Sequence, residues 1–378
     1  MIEGPVHLSL LIGPVIPLVA PRFVMEALIG ITVNATAEPN KDSGFEMTFS
    51  LDKDSLLPTI FLFAAGQVPA ILRVVIAVTV NGSFDVLIDG VVTKTGITPG
   101  EGGKPATLTV SGVDLTAMMD LLDLTGFPFP AMPVAARVLL ILAKYAPLGL
   151  LPVVVPSLVP DIPNPLERIP VQHGTDLAYL RQLAVRSGYV FSIIPGPVPG
   201  VSFAYWGPYA KVGLPQPALN VDMDAATNVQ QLSFTYDGEQ ATLPIIFLHN
   251  MATGIVFPVP IPGVSPLNPP LGLLQPIPKK VRTVRATAKL GMPEAIMLGL
   301  ATAAQFADAV TATGNLDVLR YGGVLKPRRL VGVRGAGLAF NGLYFVQSVQ
   351  HSIKRGEFTQ RFTLKRNGLI STLPVVPV

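Results

Sequence analysis

Prolines cluster in this chain rather than spreading evenly. Seven fall between Pro147 and Pro170, and a second proline-rich run fills Leu243–Pro278. Each proline fixes φ and removes a backbone donor, so neither stretch can form a long helix or a central strand. The 147–170 stretch therefore reads as an extended connector. The 243–278 stretch, low in charge and too long for a turn, reads as a loop or arm packed against something. With 38 prolines and 35 glycines in 378 residues, breakers make up about 19% of the chain, against an average near 12%. No G-X-Y period accompanies them, which excludes collagen. Apolar residues at 49% and charged residues at 13% favour collapse over disorder. A chain of this length is expected to divide into two or three domains.

The absence of cysteine excludes a disulfide scaffold and any Cys-ligated zinc or iron–sulfur site. A net charge of +3, from 27 Lys and Arg against 24 Asp and Glu, is too small and too evenly spread to argue for nucleic-acid binding. Mean hydropathy is high at +0.52, so membrane insertion has to be weighed. Ile60–Val80 is interrupted by Gln67, Pro69 and Arg73, and Val138–Pro160 by Lys144 and four prolines. Neither suits a spanning helix. The N-terminus lacks the basic region and small-residue cleavage site of a signal peptide. The expectation is a chain without stable membrane insertion, its surplus apolar surface covered by partner subunits.

Residues 1–115 read as β. Phe45–Leu51 alternates apolar and polar, and Arg73–Val80 ends at Asn81-Gly82, a favoured hairpin turn before the return strand Ser83–Val92. A loop over 99–105 leads to a further alternating strand, Thr107–Ser111. Residues 116–220 change character: Asp114–Leu124 and Val134–Tyr145 have helical length, and Thr175 can cap a helix in which Leu177, Leu180, Leu183 and Ala184 make one apolar stripe. Gly188 terminates that helix, and Tyr189–Ile194 follows as a strand. Residues 221–378 hold the proline-rich arm, an Ala-rich helix over 295–311, and two closing strands, Leu343–Ile353 and Phe358–Leu364, around Lys354-Arg355-Gly356-Glu357. In the second of these, Thr359, Arg361, Thr363 and Lys365 share one face, opposite Phe358, Phe362 and Leu364.

No catalytic constellation emerges. His7, His173, His249 and His351 are not at metal-ligand spacing and there is no HExxH, so no metal is expected. His173 suits local hydrogen bonds, and His351 suits a surface or an interface better than a general base. A nucleophile elbow is absent; Gly200-Val201-Ser202-Phe203-Ala204 lacks the second glycine. Asp222 and Asp224, placed on a strand, would share a face with no acid partner, short of what glycoside hydrolysis needs. Gly332, Gly335 and Gly337 have the wrong spacing for dinucleotide binding, and one Trp with 8 Tyr argues against single-strand nucleic-acid platforms. No cofactor is expected.

Three segments, in order, resemble a known family. Leu87-Ile88-Asp89-Gly90-Val91-Val92, followed by Ala106–Asp114, is similar to an "F-x-G-x-V … L-x-V-x-A-x-D" hairpin. Gln172–Tyr189 closely resembles the signature "Q-x-x-x-S-D-x-x-F-L-R-R-L-A-x-x-x-G-Y", carried here by Asp176, Leu180, Arg181, Leu183, Gly188 and Tyr189. Gly342–His351 resembles "G-x-Y-x-V-x-x-V-x-H". The family is that of phage late-control protein D, the tail-hub part of VgrG-type spike proteins, and the matches span most of the chain.

The resemblance implies an α+β, mainly β fold. Two tail-tube-like β-barrel modules flank an α-containing middle, and three chains form a pseudo-six-fold ring. It implies a non-enzymatic baseplate hub of a phage tail or a contractile injection system, adapting a six-fold tube to a three-fold spike. The implied partners are the chain itself as a homotrimer, a separate trimeric spike protein, the tail tube or a tube initiator, other baseplate proteins, and a DNA or protein cargo in the lumen. The chain would be assembled in the bacterial cytoplasm and reside in a virion tail or an injection particle. The chain ends soon after its last strand, so the spike is expected as a separate protein. Arg361 and Lys365 are the expected lumen or tube contacts. The competing readings are a tail-associated peptidoglycan hydrolase and a membrane-associated β protein.

Overall fold

Local signals set the first elements. The β-branched run Arg73–Val80 closes at Asn81 and Gly82, with φ of 49° and 83°, the pair of left-handed conformations that a two-residue hairpin turn requires. A computed structural model of the chain describes residues 6–52, 55–63, 72–100, 102, 105–156, 163–166, 168–249, 255–284 and 292–373. Its N-terminal part holds β1 (Val6–Gly13), β2 (Leu18–Val19), β3 (Leu28–Thr36), β4 (Gly44–Leu51), β5 (Arg73–Val80), β6 (Ser83–Thr98) and β7 (Ala106–Asp114). The middle holds β8 (Leu150–Val154), β9 (Tyr189–Pro195) and β10 (Ser202–Pro208) with helices Val134–Ala143 and Asp176–Arg186. Then follow β11 (Pro215–Asn220), β12 (Gln231–Tyr236), β13 (Thr242–His249), β14 (Val256–Pro260), β15 (Gly272–Leu274), β16 (Lys280–Thr283), helix Met292–Phe306, β17 (Val310–Asp317), β18 (Leu330–Arg334), β19 (Gly342–Lys354), β20 (Glu357–Arg366) and β21 (Leu369–Ser371).

The chain is mainly β, and its two ends share one 13-stranded sheet. The order runs β12-β17-β20-β19-β3-β4-β7-β6-β5-β1-β2, with β18 also on β19 and β11 on β18. The join is the antiparallel pairing of β19 with β3, from Ser348 opposite Thr36 to Lys354 opposite Gly30. One hydrophobic core runs under both ends, from Leu10, Phe49 and Ile76 to Leu316, Val349 and Phe362. A second core belongs to the middle, around Trp206, Phe129, Leu180 and Ile141. Among the described residues no sheet closes on itself into a barrel.

Several of the strand prolines sit where sheets stop, although the central strand β13 carries Pro244 near its start. β8, at the edge of the β8-β10-β9 sheet, carries Pro152; β14, at the edge of β14-β13-β16, carries Pro258 and Pro260; β11, paired only to β18, carries Pro215 and Pro217. An edge tolerates the missing donor and is protected by it.

Several expectations need correcting. Asp114–Leu124 is not an α-helix: Asp114 caps a short 3₁₀ segment, Leu115–Met119, and the chain then bends towards a bridge between Asp123 and Thr175. Part of the 147–170 connector is the edge strand β8, parallel to β10. The 243–278 arm contains strands: β13 lies between β14 and β16, and Ile246, Leu248 and Ile261 pack on Ala295 and Ala303 of the Ala-rich helix. That helix ends at Phe306, and the β-branched Val310-Thr311 opens β17. Asp222 and Asp224 lie not on a strand but in an exposed turn, both at φ 49°. Of Ile60–Val80, residues 64–71 lie outside the described residues, as do parts of the 99–105 loop, parts of the two proline-rich stretches and the terminal residues 374–378. No helix among the described residues is long and apolar enough to cross a membrane.

Close packing of β4, β7 and β6 rests on Gly112, where an added Cβ would lie 2.2 Å from the Val91 carbonyl oxygen and 2.4 Å from the Phe45 ring. Gly112→Ala is expected to cost about 2–3 kcal/mol through forced strand displacement, read as a lowered thermal unfolding midpoint.

Candidate functional site

The signature residues build the middle unit from the inside. Thr175 caps the helix, its hydroxyl accepting from the Ala178 amide at 3.2 Å. Asp176 is buried and accepts from the Gln172 side-chain amide (2.8 Å) and the Tyr145 hydroxyl (2.7 Å), with Lys144 Nζ at 2.5 Å. Burial, and donation to that carboxylate, push the Tyr145 hydroxyl pKa far up. Leu180 and Leu183 enter the core beside Trp206. Tyr189 meets Trp206 edge to face at 4.8 Å. Gly188, at φ 67°, passes so close to helix Met292–Phe306 that a Cβ would be 2.5 Å from the Met297 carbonyl oxygen. Arg181 points out of this unit and pairs with Asp42 in the β3–β4 loop. These six residues therefore assemble and join units of the fold.

Other buried charges also act as joints. Arg73 forms a two-pronged pair with Asp89 (2.7 and 2.6 Å) and donates to the carbonyls of Val15 and Gly200, both at 3.1 Å, tying the first sheet to the middle unit. Lys211 reaches both oxygens of Asp308 at 2.6 Å and lies over the Tyr209 and Phe345 rings. Asp114 accepts from Thr116 and from the Ser43 amide, and burial, outweighing those bonds, pushes its pKa up to about 6.

Arg361 and Lys365 lie elsewhere, on the open face of the long sheet. The ladder register continues that face across strands. One row reads Gln231, Asn315, Arg361, Gln350, Asn34. The next reads Ser233, Thr313, Thr363, Ser348, Thr36. A third reads Asp317, Thr359, Ser352, Thr32, Glu46, Ser111, Lys94. All these side chains are exposed or half-buried. Eight strands, β12-β17-β20-β19-β3-β4-β7-β6, thus present one hydroxyl- and amide-rich surface. The alternation of β20 signalled its own part of this surface; the rest needed the pairing of strands distant in sequence. Lys365 donates to the Thr311 hydroxyl at 2.8 Å, and Arg361 is exposed.

The opposite face is core, and it corrects the reading of His351. The row Leu316, Gln360, His351, Val33, Phe45 is buried. His351 is only 2% exposed, neither on the surface nor at an interface with solvent. The Gln360 amide donates to the Leu325 carbonyl and lies 3.0 Å from His351 Nδ1, so Nδ1 is the acceptor and the ring proton sits on Nε2. Burial pushes the His351 pKa down to about 3. His173 is exposed, and Ser202, from the elbow lookalike, is buried with its hydroxyl 3.4 Å from Asp89. The His249 side chain lies outside the described residues. Among the described residues no group of three or more His, Asp or Glu side chains is placed to hold a metal ion.

No protein-family model and no curated protein sequence matches the chain. Its fold, however, is shared. It is similar to a tail protein from Neisseria meningitidis MC58 (12% identity, 97% of this chain and 98% of that one, TM-score 0.62). It is similar to the 43 kDa tail protein of prophage MuSo2 from Shewanella oneidensis (14% identity, 95% and 98%, TM-score 0.58). A chain of the Francisella PdpA–VgrG complex also matches (8% identity, 99% and 54%, TM-score 0.56). The fold is that of phage-tail structural proteins. It is a fold that tail proteins share with a chain of a VgrG complex.

Because His351 stays neutral when folded and takes a proton near pH 6.5 when unfolded, its contribution to stability is complete above pH 6.5. It is lost as pH falls towards 3, at about 1.4 kcal/mol per unit. Asp114, with its raised value, works in the opposite sense between about pH 6 and 4. The expected outcome is that His351→Leu removes the acid-side loss, so the urea midpoint of the variant falls less between pH 6.5 and 4.5 than that of the natural chain. Separately, Asp176→Ala leaves the buried donors of Gln172 and Tyr145 unanswered and is expected to cost about 3 kcal/mol. Urea unfolding followed by Trp206 fluorescence checks it.

Proposed function

We propose that the chain is the baseplate hub of a phage tail or phage-tail-like injection particle, with the polar sheet face as the wall of its lumen. The observation that carries this reading is the continuity of that face: β-rich regions from both ends of the chain contribute four strands each to one surface. Each region then serves as one tube-like module, and three chains supply six, matching a six-fold tube above and a three-fold spike below. Heterologous contacts of this kind close into a ring when the rotation permits. The structural likeness to whole tail proteins, end to end, supports the same reading.

A lumen wall of Ser, Thr, Asn and Gln side chains offers passing cargo hydrogen bonds equivalent to those of water, and little apolar surface to stick to. The hub works by shape and symmetry rather than by chemistry. Its partners are a separate trimeric spike, the tail tube or its initiator and neighbouring baseplate proteins, and it resides in the assembled particle. The domains are 1–115 and 221–378 as the two modules, with 116–220 between them.

Native mass spectrometry of the purified chain or its baseplate complex is expected to show three copies. Replacing Arg361 and Lys365 together by Glu is expected to leave the circular dichroism unchanged but to impair assembly or delivery. Unchanged particles and delivery would remove these two residues from the lumen. On a peptidoglycan zymogram the protein is expected to give no clearing; a clear band would instead favour a tail-borne hydrolase.

A further inference from the structure

Two of the buried cations, Arg73 and Lys211, have a carboxylate beside them. Arg73 shows the arrangement in full. Its Nε and Nη2 grip the two oxygens of Asp89, and its Nη1 donates to the Val15 carbonyl. Arg366, the last residue of β20, departs from it. The side chain is wholly buried on the core face, in the row of Phe362 and Leu364. Its Nη1 donates to the Asn341 carbonyl at 2.9 Å, and the guanidinium lies over the Tyr344 ring at 5.2 Å. Nε and Nη2 have no hydrogen-bond partner among the described residues. There, Arg366 is the one arginine with both donors of that edge buried and unanswered.

Those two donors form the edge of the guanidinium fork that receives a carboxylate two-pronged. A guanidinium buried without an anion is costly, and a ring face with backbone carbonyls offsets only part of that. The group that would answer the rest is planar, singly negative and carries two acceptors, as Asp89 does for Arg73. The surroundings indicate its source. Tyr236 lies in the same cross-strand row, beyond Val310, and is 44% exposed. Phe234 stacks on Phe340, both half-buried, and Leu338 in the same short turn is 78% exposed. A buried charge within an apolar rim is how a desolvated contact between two proteins is built.

The way in lies past β21. Ser371 and Arg366 Nη1 meet at Gly342, where an added Cβ would be 3.1 Å from the one and 3.2 Å from the other. β21 is three residues long, pairs with β15 alone among the described residues, and holds Ile370 at φ 59°. That left-handed conformation is unfavourable for a β-branched side chain. A short, strained strand yields more readily than the long ladders around it.

From these observations we infer that Arg366 is a receptor for a carboxylate, an Asp or Glu side chain brought in by a neighbouring protein as β21 moves aside. This site is separate from the polar sheet face and goes beyond the hub reading.

Arg366→Gln keeps a donor for the Asn341 carbonyl but removes the charge and the two-pronged edge. In the purified chain it is expected to hold or raise the thermal unfolding midpoint, whereas Arg73→Gln strands Asp89 and lowers it by several degrees. Sodium formate, compared with sodium chloride at equal ionic strength, is expected to raise the midpoint of the natural chain and not that of Arg366→Gln. In assembled particles the variant is expected to be incorporated at least about tenfold less than the natural chain. A variant that unfolds as readily as Arg73→Gln makes Arg366 an internal strut and overturns the inference. Full incorporation of the variant, an equal response of both chains to formate, or a rise with sodium phosphate but not formate overturns it too. If the natural chain enters no particle, the hub reading falls, and the formate response alone decides the receptor.

Discussion

The pairing of β19 with β3 is the contact on which the rest of the architecture depends. It joins residues about 310 positions apart, Ser348 with Thr36, and makes two β-rich regions into one sheet over one core. Bringing such distant segments together is entropically demanding, and the return is a shared hydrophobic layer that neither half would complete alone. It also sets the alternation of both regions in phase. Without that phase the polar face of β20 would not continue into β3, β4 and β7.

Rigid joints keep the remaining units in place on this sheet. Arg73, held by Asp89 and donating to the Gly200 carbonyl, Lys211 with Asp308 and Arg181 with Asp42 each connect segments far apart in sequence. The first two are desolvated, and such pairs are weak as sources of net stability but severe in what they exclude, since a misdocked unit leaves a buried charge alone. The middle unit and the arm are therefore specified in position more than they are glued there. That suits the proposed hub, which would carry load between a tube and a spike.

Legibility in the sequence followed the range of the interactions. The Asn81-Gly82 hairpin, the capped helix after Thr175 and the alternation in Phe358–Leu364 are local, and they read correctly from residue order alone. What depended on distant partners did not. The 243–278 segment looked like a loop because prolines argue against central strands, yet β13 is flanked on both sides and carries just one, Pro244, near its start; two more lie on the edge strand β14 and the rest fall outside the strands. His351 read as a surface residue because an isolated histidine in an alternating strand gives no sign of which face is buried; Gln360, nine residues on, supplies the bond that lets it be interior. The polar character of β20 could be seen, but not its extension over seven further strands.

The sixteen-residue strand β6 serves two masters. Its first half pairs with β5 over the apolar core, its second half with β7 alone, and the register slips between Val92 and Lys94. That slip decides which way every later side chain points. Deleting one residue there would turn Lys94 and Thr98 inward and swing Ile97 towards the open side, inverting the strand without altering its composition. A change of length at this irregularity therefore inverts the faces of the strand as far as Thr98.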